Sequence, residues 1–222
     1  MRGMAKRRMS FLVAPLMLAA LTIQVAAEEQ LDEDFILRQL ARVQREVRDF
    51  TADLVQEKRI SLLQKEIISH GVIQYKRPDK LLIELFDPDP SLMILDGHSL
   101  WLYFKREKVA QRYSLGSNPL FMRYLTLFDQ PFNERWGKLA SVRREGDLVV
   151  LDLIPGEADA IFSKVTLWVS TEDWFIRRLL LSEKSGDSTS LSYENIRVNI
   201  GIPDSRFRID LPVDVEILQP PL

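Results

Sequence analysis

The spacing of apolar residues changes near Phe50. Between residues 31 and 48, Phe35, Leu40, Val43 and Val47 recur three to five apart, as on one face of a helix. Acidic residues lead this stretch and Arg38, Arg42, Arg45 and Arg48 follow, the order a helix dipole favours. The pattern predicts an amphipathic helix whose stripe must cover something. From residue 51 the period becomes two. Segments 51–60 and 67–76 alternate and are rich in Val, Ile and Tyr, and 80–86 and 92–95 continue as strands. Asp96-Gly97 between apolar runs is a strong hairpin signal. The chain returns through 100–104 and turns again over 105–108 into 109–113.

Asn118-Pro119 opens a short helix over 120–128, with proline at its first position. Its residues are apolar on most faces, which predicts burial on both sides. A polar connection containing Trp136 follows. Strands are then expected over 139–144, 148–155, 160–170, 174–183, 189–198 and 206–210, separated by Gly, Asp, Asn and Pro turns. Short strands at this spacing predict one antiparallel barrel or sandwich domain. Several are apolar on both faces, among them Leu81-Leu82-Ile83 and Leu100-Trp101-Leu102-Tyr103-Phe104. A sheet with one wet face alternates apolar and polar residues, so these strands need cover on both sides. A packed core is one source of cover; a lipid filling an apolar pocket is another.

The first residues change the picture of compartment. Arg2, Lys6, Arg7 and Arg8 precede an apolar run from Phe11 to about Val25, and Ala26-Ala27 stand before Glu28. This is the layout of a secretory signal peptide, too short and too interrupted by Pro15 for a spanning helix. Residues 1–27 are therefore expected to be removed near Ala27, leaving 28–222. The precursor's 30 Lys+Arg less these four leave 26 against 32 Asp+Glu, a net of −6. That balance disfavours nucleic acid as a partner. The chain has no cysteine, which excludes disulfides, zinc–thiolate sites, a cysteine nucleophile and a thioether lipid anchor.

Catalytic chemistry finds little support. His70 and His98 are the only imidazoles, and no nucleophile elbow, metal-spaced histidine pair, phosphate loop or nucleotide fingerprint is present. Asp32-Glu33-Asp34 reads as a helix start, and Asp87 and Asp89 flank Pro88 in a loop. The expectation is a protein that is not an enzyme and uses no cofactor or metal. Lys105-Arg106-Glu107-Lys108 reads as a charged hairpin.

Ordered blocks then become specific. Phe50-Thr-Ala-Asp-Leu-Val-Gln56 is followed by Gly71, Lys76-Arg77-Pro78, Asp96-Gly97-His98-Ser99-Leu100-Trp101-Leu102-Tyr103, Asn118-Pro119-Leu120-Phe121-Met122 and Phe207-Arg-Ile-Asp-Leu-Pro212. In this order the chain resembles the LolA family of periplasmic outer-membrane lipoprotein carriers over nearly its whole length after residue 27. The resemblance implies an antiparallel, unclosed (half) β-barrel, mainly β with α, and a helical lid over an apolar cavity. It also implies a monomer that takes acylated lipoproteins from an inner-membrane ABC transporter to an outer-membrane LolB-like receptor. LolB itself is anchored through a cysteine, which this chain lacks. Arg77 matches an arginine that hydrogen-bonds to the lid. Leu81, Ile83 and Leu85 match cavity-lining positions, although the family often has tryptophan where Ile83 stands. Trp101 and Tyr103, with Phe121, Met122 and Leu125 of the lid helix, complete the expected cavity. The alternatives are a carrier of the same fold for another lipid, such as a glycolipid, and a regulatory protein that senses lipoproteins.

Overall fold

A computed structural model describes residues 32–114, 137–156 and 161–220. The first element is helix α1 (Glu33–Glu46), capped by the Asp32 carboxylate, which accepts the Phe35 N–H at 3.1 Å. Strands β1 (Asp49–Ile60), β2 (Lys65–Lys76), β3 (Lys80–Leu85), β4 (Ser91–Asp96), β5 (Ser99–Phe104) and β6 (Val109–Ser114) follow as successive hairpins. After residue 137 come β7 (Lys138–Glu145), β8 (Leu148–Ile154), β9 (Phe162–Ser170), β10 (Ile176–Glu183), β11 (Ser188–Val198) and the three-residue β12 (Glu216–Leu218). All twelve form one sheet in the order β12-β6-β5-β4-β3-β2-β1-β11-β10-β9-β8-β7. The pairing of β1 with β11 joins the two meanders, and only β12 runs parallel to its neighbour. This is the open half-barrel with a helix that the sequence predicts.

Helix α1 lies on the inner face. Ile36 and Leu40 join Val149, Leu151, Val165, Leu167, Leu179 and Leu181 of β8–β10 in one cluster. Val43 and Val47 join Phe50, Leu54, Tyr75, Leu81 and Tyr193 in a second. Ile36 rather than Phe35 leads the buried stripe; Phe35 is 44 % exposed. Gly71 lets β3 come close to β2, because a Cβ there would stand 2.0 Å from the Glu84 carbonyl oxygen.

The outer face divides in two. Over β7–β9 it is polar: Asp152 accepts from Thr166 at 2.6 Å, Ser141 at 2.9 Å and Arg143 at 2.8 Å. Burial pushes this carboxyl up, but the hydroxyl hydrogen bonds and the charges of Lys164 and Arg143 outweigh it and hold it below the ordinary range. Over β3–β5 the outer face is apolar, and a C-terminal strap covers it. Leu82 and Ile94 bury with Ile202 and Phe207, and Val72, Leu92, Trp101 and Ile209 pack around them. The strand expected over 206–210 is therefore replaced by a 3-10 turn, Asp204–Phe207. Phe207 has to point into the sheet rather than lie along an edge, so it packs as a plug and no ladder forms.

The strap is held by charge as well as by Phe207. Lys76 and Lys80 reach the two oxygens of Asp204 at 2.6 and 2.5 Å, and Lys76 also donates to the Ile202 carbonyl at 2.7 Å. Hydrogen bonds from these lysines bring the Asp204 carboxyl down to about 2. A carboxyl lowered on folding stabilises the fold above its unfolded pKa, near 4, and that contribution fades as pH falls to the folded value. Urea unfolding of wild type and Asp204→Asn between pH 7 and 2 should show a wild-type advantage that persists to about pH 4 and disappears by about pH 2. A constant difference across that range would mean that Asp204 does not carry this titration.

Candidate functional site

The inner face of β1–β6 is built as rungs of paired residues. One rung runs Phe50, Tyr75, Leu81, Leu95, Leu100 and Tyr113, the next Ala52, Ile73, Ile83, Met93 and Leu102, and a third Leu54, Gly71, Leu85, Ser91 and Phe104. Cover decreases along them. Tyr75, Leu81, Leu95 and Leu100 are buried, Ile83, Met93 and Leu102 are half-buried, and Phe104 is 38 % exposed. The wall is thus closed at the β2–β3 turn and open toward the third rung.

The closed end is where α1 finishes. The last carbonyls of a helix have no partner within it, and here side chains from distant strands supply them. The Arg77 guanidinium donates to the Gln44 carbonyl and the Asn199 amide to the Glu46 carbonyl at 3.1 Å. Asn199 also accepts the Arg48 N–H at 2.7 Å, and the Arg77 N–H donates to the Arg48 carbonyl at 2.8 Å. Asn199 takes the left-handed backbone, φ 55°, which Asn tolerates better than most residues. A cation at a helix C-terminus is also favoured by the dipole.

Beneath this end lies an apolar cavity of about 30 Å³, lined by Leu40, Val43, Val47, Phe50, Tyr75 and Trp174, among others. It has room for one or two waters and none for an acyl chain. The turn between β9 and β10 forms its far wall. Trp174 stacks edge-on against Phe35 of α1 at 5.6 Å, and Phe175 edge-on against Phe50 at 5.2 Å. Trp174 has φ 59°, an uncommon backbone for so bulky a residue. Beside the cavity, burial pushes the Tyr193 phenol up, so it stays protonated.

Leu81, Ile83 and Leu85 do share the inner face, and Arg77 does reach a helix carbonyl, although that helix is α1. Trp101 and Tyr103 are not with them. Trp101 pairs with Ile94 and Arg112 and lies under the strap, while Tyr103 pairs with Leu92 and Ala110 on the same outer face. The Arg112 guanidinium stacks on the Trp101 ring at 5.3 Å. The alternation of β5 puts residues 100 and 102 inward and 101 and 103 outward, so expecting the aromatic pair to line the cavity chose the wrong face. Phe121, Met122 and Leu125 lie outside the described residues. Met93 and Leu102 were missed, though the Asp96-Gly97 turn already implies their pairing with each other. Trp174 was missed because nothing local marks a tryptophan for a left-handed turn.

The remaining candidate groups are engaged elsewhere. His70 meets Asp87 at 3.0 Å on the exposed surface, and His98 follows the Asp96 turn. In the basic hairpin, Lys105 pairs with Glu84, Arg106 with Asp89 and Lys108 with Asp214.

Known proteins with this pattern agree with the geometry. The model of the family described as "Outer membrane lipoprotein carrier protein LolA" matches residues 45–210. The outer-membrane lipoprotein carrier protein of Chromobacterium violaceum is 27 % identical over 152 residues, 67 % of this chain and 71 % of that protein. Its counterpart from Dechloromonas aromatica is 26 % identical over 154 residues, 68 % of this chain and 71 % of that protein. The crystal structure of an uncharacterized conserved protein from Thermus thermophilus shares the fold, with a TM-score of 0.53 at 10 % identity over 84 % of this chain and 98 % of that one. With rungs, helix and strap in the order of those sequence blocks, the chain belongs to the LolA family of outer-membrane lipoprotein carrier proteins.

Proposed function

We propose that residues 28–222 form a periplasmic carrier of acylated lipoproteins, exported by a signal peptide in residues 1–27 and acting as a monomer without cofactor or covalent chemistry. It receives cargo from an inner-membrane lipoprotein-releasing ABC transporter and passes it to a LolB-like receptor at the outer membrane. The observation that carries this reading is the wall of half-buried apolar rungs under a helix whose end is tied by Arg77. Each methylene buried is worth about 0.8 kcal/mol, so diacyl or triacyl cargo needs such a wall to cross water. Chains enter along Leu81, Ile83 and Leu85, and a shift of α1 widens the small cavity beneath its end. Arg77 then stabilises the empty, closed form. A charge-assisted hydrogen bond of this kind is worth roughly 1.5–3 kcal/mol, a bias toward release that cargo burial exceeds.

The direct test is displacement of a fluorescent fatty-acyl probe by a triacylated lipoprotein peptide, its unacylated form and a phospholipid. The acylated peptide should displace selectively; equal displacement by phospholipid would make this a general lipid carrier, and absence of probe binding would leave the inner wall as ordinary core. Ile83→Asp should weaken probe binding at least about tenfold, by burying a carboxylate against acyl chains, while far-ultraviolet circular dichroism stays unchanged. Unaltered binding would remove β3 from the site. Arg77→Leu should leave uptake intact or tighter and slow transfer to an acceptor by about tenfold, because the closed state loses its tie. Transfer at the wild-type rate would end that role for Arg77.

A further inference from the structure

The β1–β2 hairpin is the longest in the sheet, and its far end runs past β3 while β11 accompanies it on the other side. Strand β2 pairs with β3 only from Gly71 to Lys76, leaving residues 65–70 beyond β3. At the tip, Leu62 is 90 % and Leu63 is 65 % exposed. Turn positions favour polar residues and glycine, and these two leucines belong to none of the three core clusters. The tip is nonetheless held firmly. Ser61 donates its N–H to Asp187 at 2.9 Å and its hydroxyl to the same carboxylate at 3.1 Å. The Gln64 N–H closes the turn on the Ser61 carbonyl at 3.2 Å, with Gln64 at φ 49°.

Charge identifies what the leucines meet. In a chain with more acidic than basic residues, the run 58–65 carries Lys58, Arg59 and Lys65 and no acid. The acids nearby are Glu57, Glu66, Glu183 and Asp187. Glu57 faces Arg178 at 3.8 Å, whereas Glu183 and Asp187 accept from the neutral groups of Ser185 and Ser61 and keep their charge, so the excess of basic charge belongs to the run 58–65 itself. Two side chains are far too little for a stable protein interface, which needs roughly 1,000 Å² or more. Shallow insertion into a bilayer needs only a small apolar wedge with basic side chains that can lie along the headgroups.

We propose that Leu62 and Leu63 are a docking wedge for an anionic phospholipid surface, with Lys58, Arg59 and Lys65 gripping the headgroups. The wedge sits at the end of β2 away from Arg77, the same end as the open rung of Leu85 and Phe104. Docking there turns the open side of the inner face toward the bilayer, a consequence that rests on the carrier reading; the docking itself does not.

The test is flotation of residues 28–222, which hold every core cluster, with vesicles of equimolar phosphatidylcholine and phosphatidylglycerol, and with phosphatidylcholine alone. Wild type should float with the anionic vesicles and be released by about 0.5 M salt. Leu62→Asp with Leu63→Asp should cut the bound fraction about tenfold. Val213→Asp, at a site 106 % exposed on the strap, should float as wild type. Ile83→Asp should also float normally, which separates docking from acyl binding. Wild type that never floats, or a double variant that floats unchanged, overturns the wedge; equal binding to neutral vesicles overturns the role of the basic residues.

Discussion

An open sheet with an apolar inner face has to be covered by something that is not the sheet. A closed barrel would bury those rungs against one another, whereas here β12 and β7 end the sheet unjoined. Among the described residues, α1 provides the inner cover, and it reaches across β8–β10 with Ile36 and Leu40 and onto β1–β2 with Val43 and Val47. It covers the first rung well and the later rungs progressively less. Exposure rises across this face from Leu81 to Phe104.

What keeps such a helix in place is divided unequally between its ends. The N-terminal half is fixed by deep apolar contacts with β8–β10. The C-terminal half lies over the small cavity and is tied by hydrogen bonds from Arg77 and Asn199 to the carbonyls of its last turn. Hydrogen bonds exchange with water at modest net cost, so these ties, together with the packing of Val43 and Val47, are what an opening at this end has to break. The strained Trp174 turn forms the wall beside that same end. The polar ties and the apolar surface are thus placed together, as the proposed carrier requires.

The outer face answers the same need for cover by a different device. Strands β3–β5 are apolar on both sides because the strap with Ile202 and Phe207 buries one side while the other is the inner face that packs with Val43 and Val47 of α1. The double apolarity of Leu100-Trp101-Leu102-Tyr103 therefore has two causes, and only the even-numbered residues lie on the inner face. The opposite half of the sheet, with Asp152, Thr166 and Ser141 outward, needs no strap and has none among the described residues.

The sequence by itself determined β1 to β11, the amphipathic helix, the Asp96-Gly97 hairpin and the family, because these depend on period, turn chemistry and the order of short blocks, whereas the strand expected over 206–210 is a 3-10 turn. It also placed Leu81, Ile83 and Leu85 on one face, since alternation along a single strand is local. Which face of β5 looks inward was decided only by the tertiary structure: alternation separates Trp101 from Leu102 but does not say which side the helix covers. The plug of Phe207, the ties from Arg77 and Asn199 to α1, and the left-handed Trp174 likewise depend on chain segments far apart in sequence. Their partners are set by how the two meanders meet at β1 and β11, and no local pattern carries that distance.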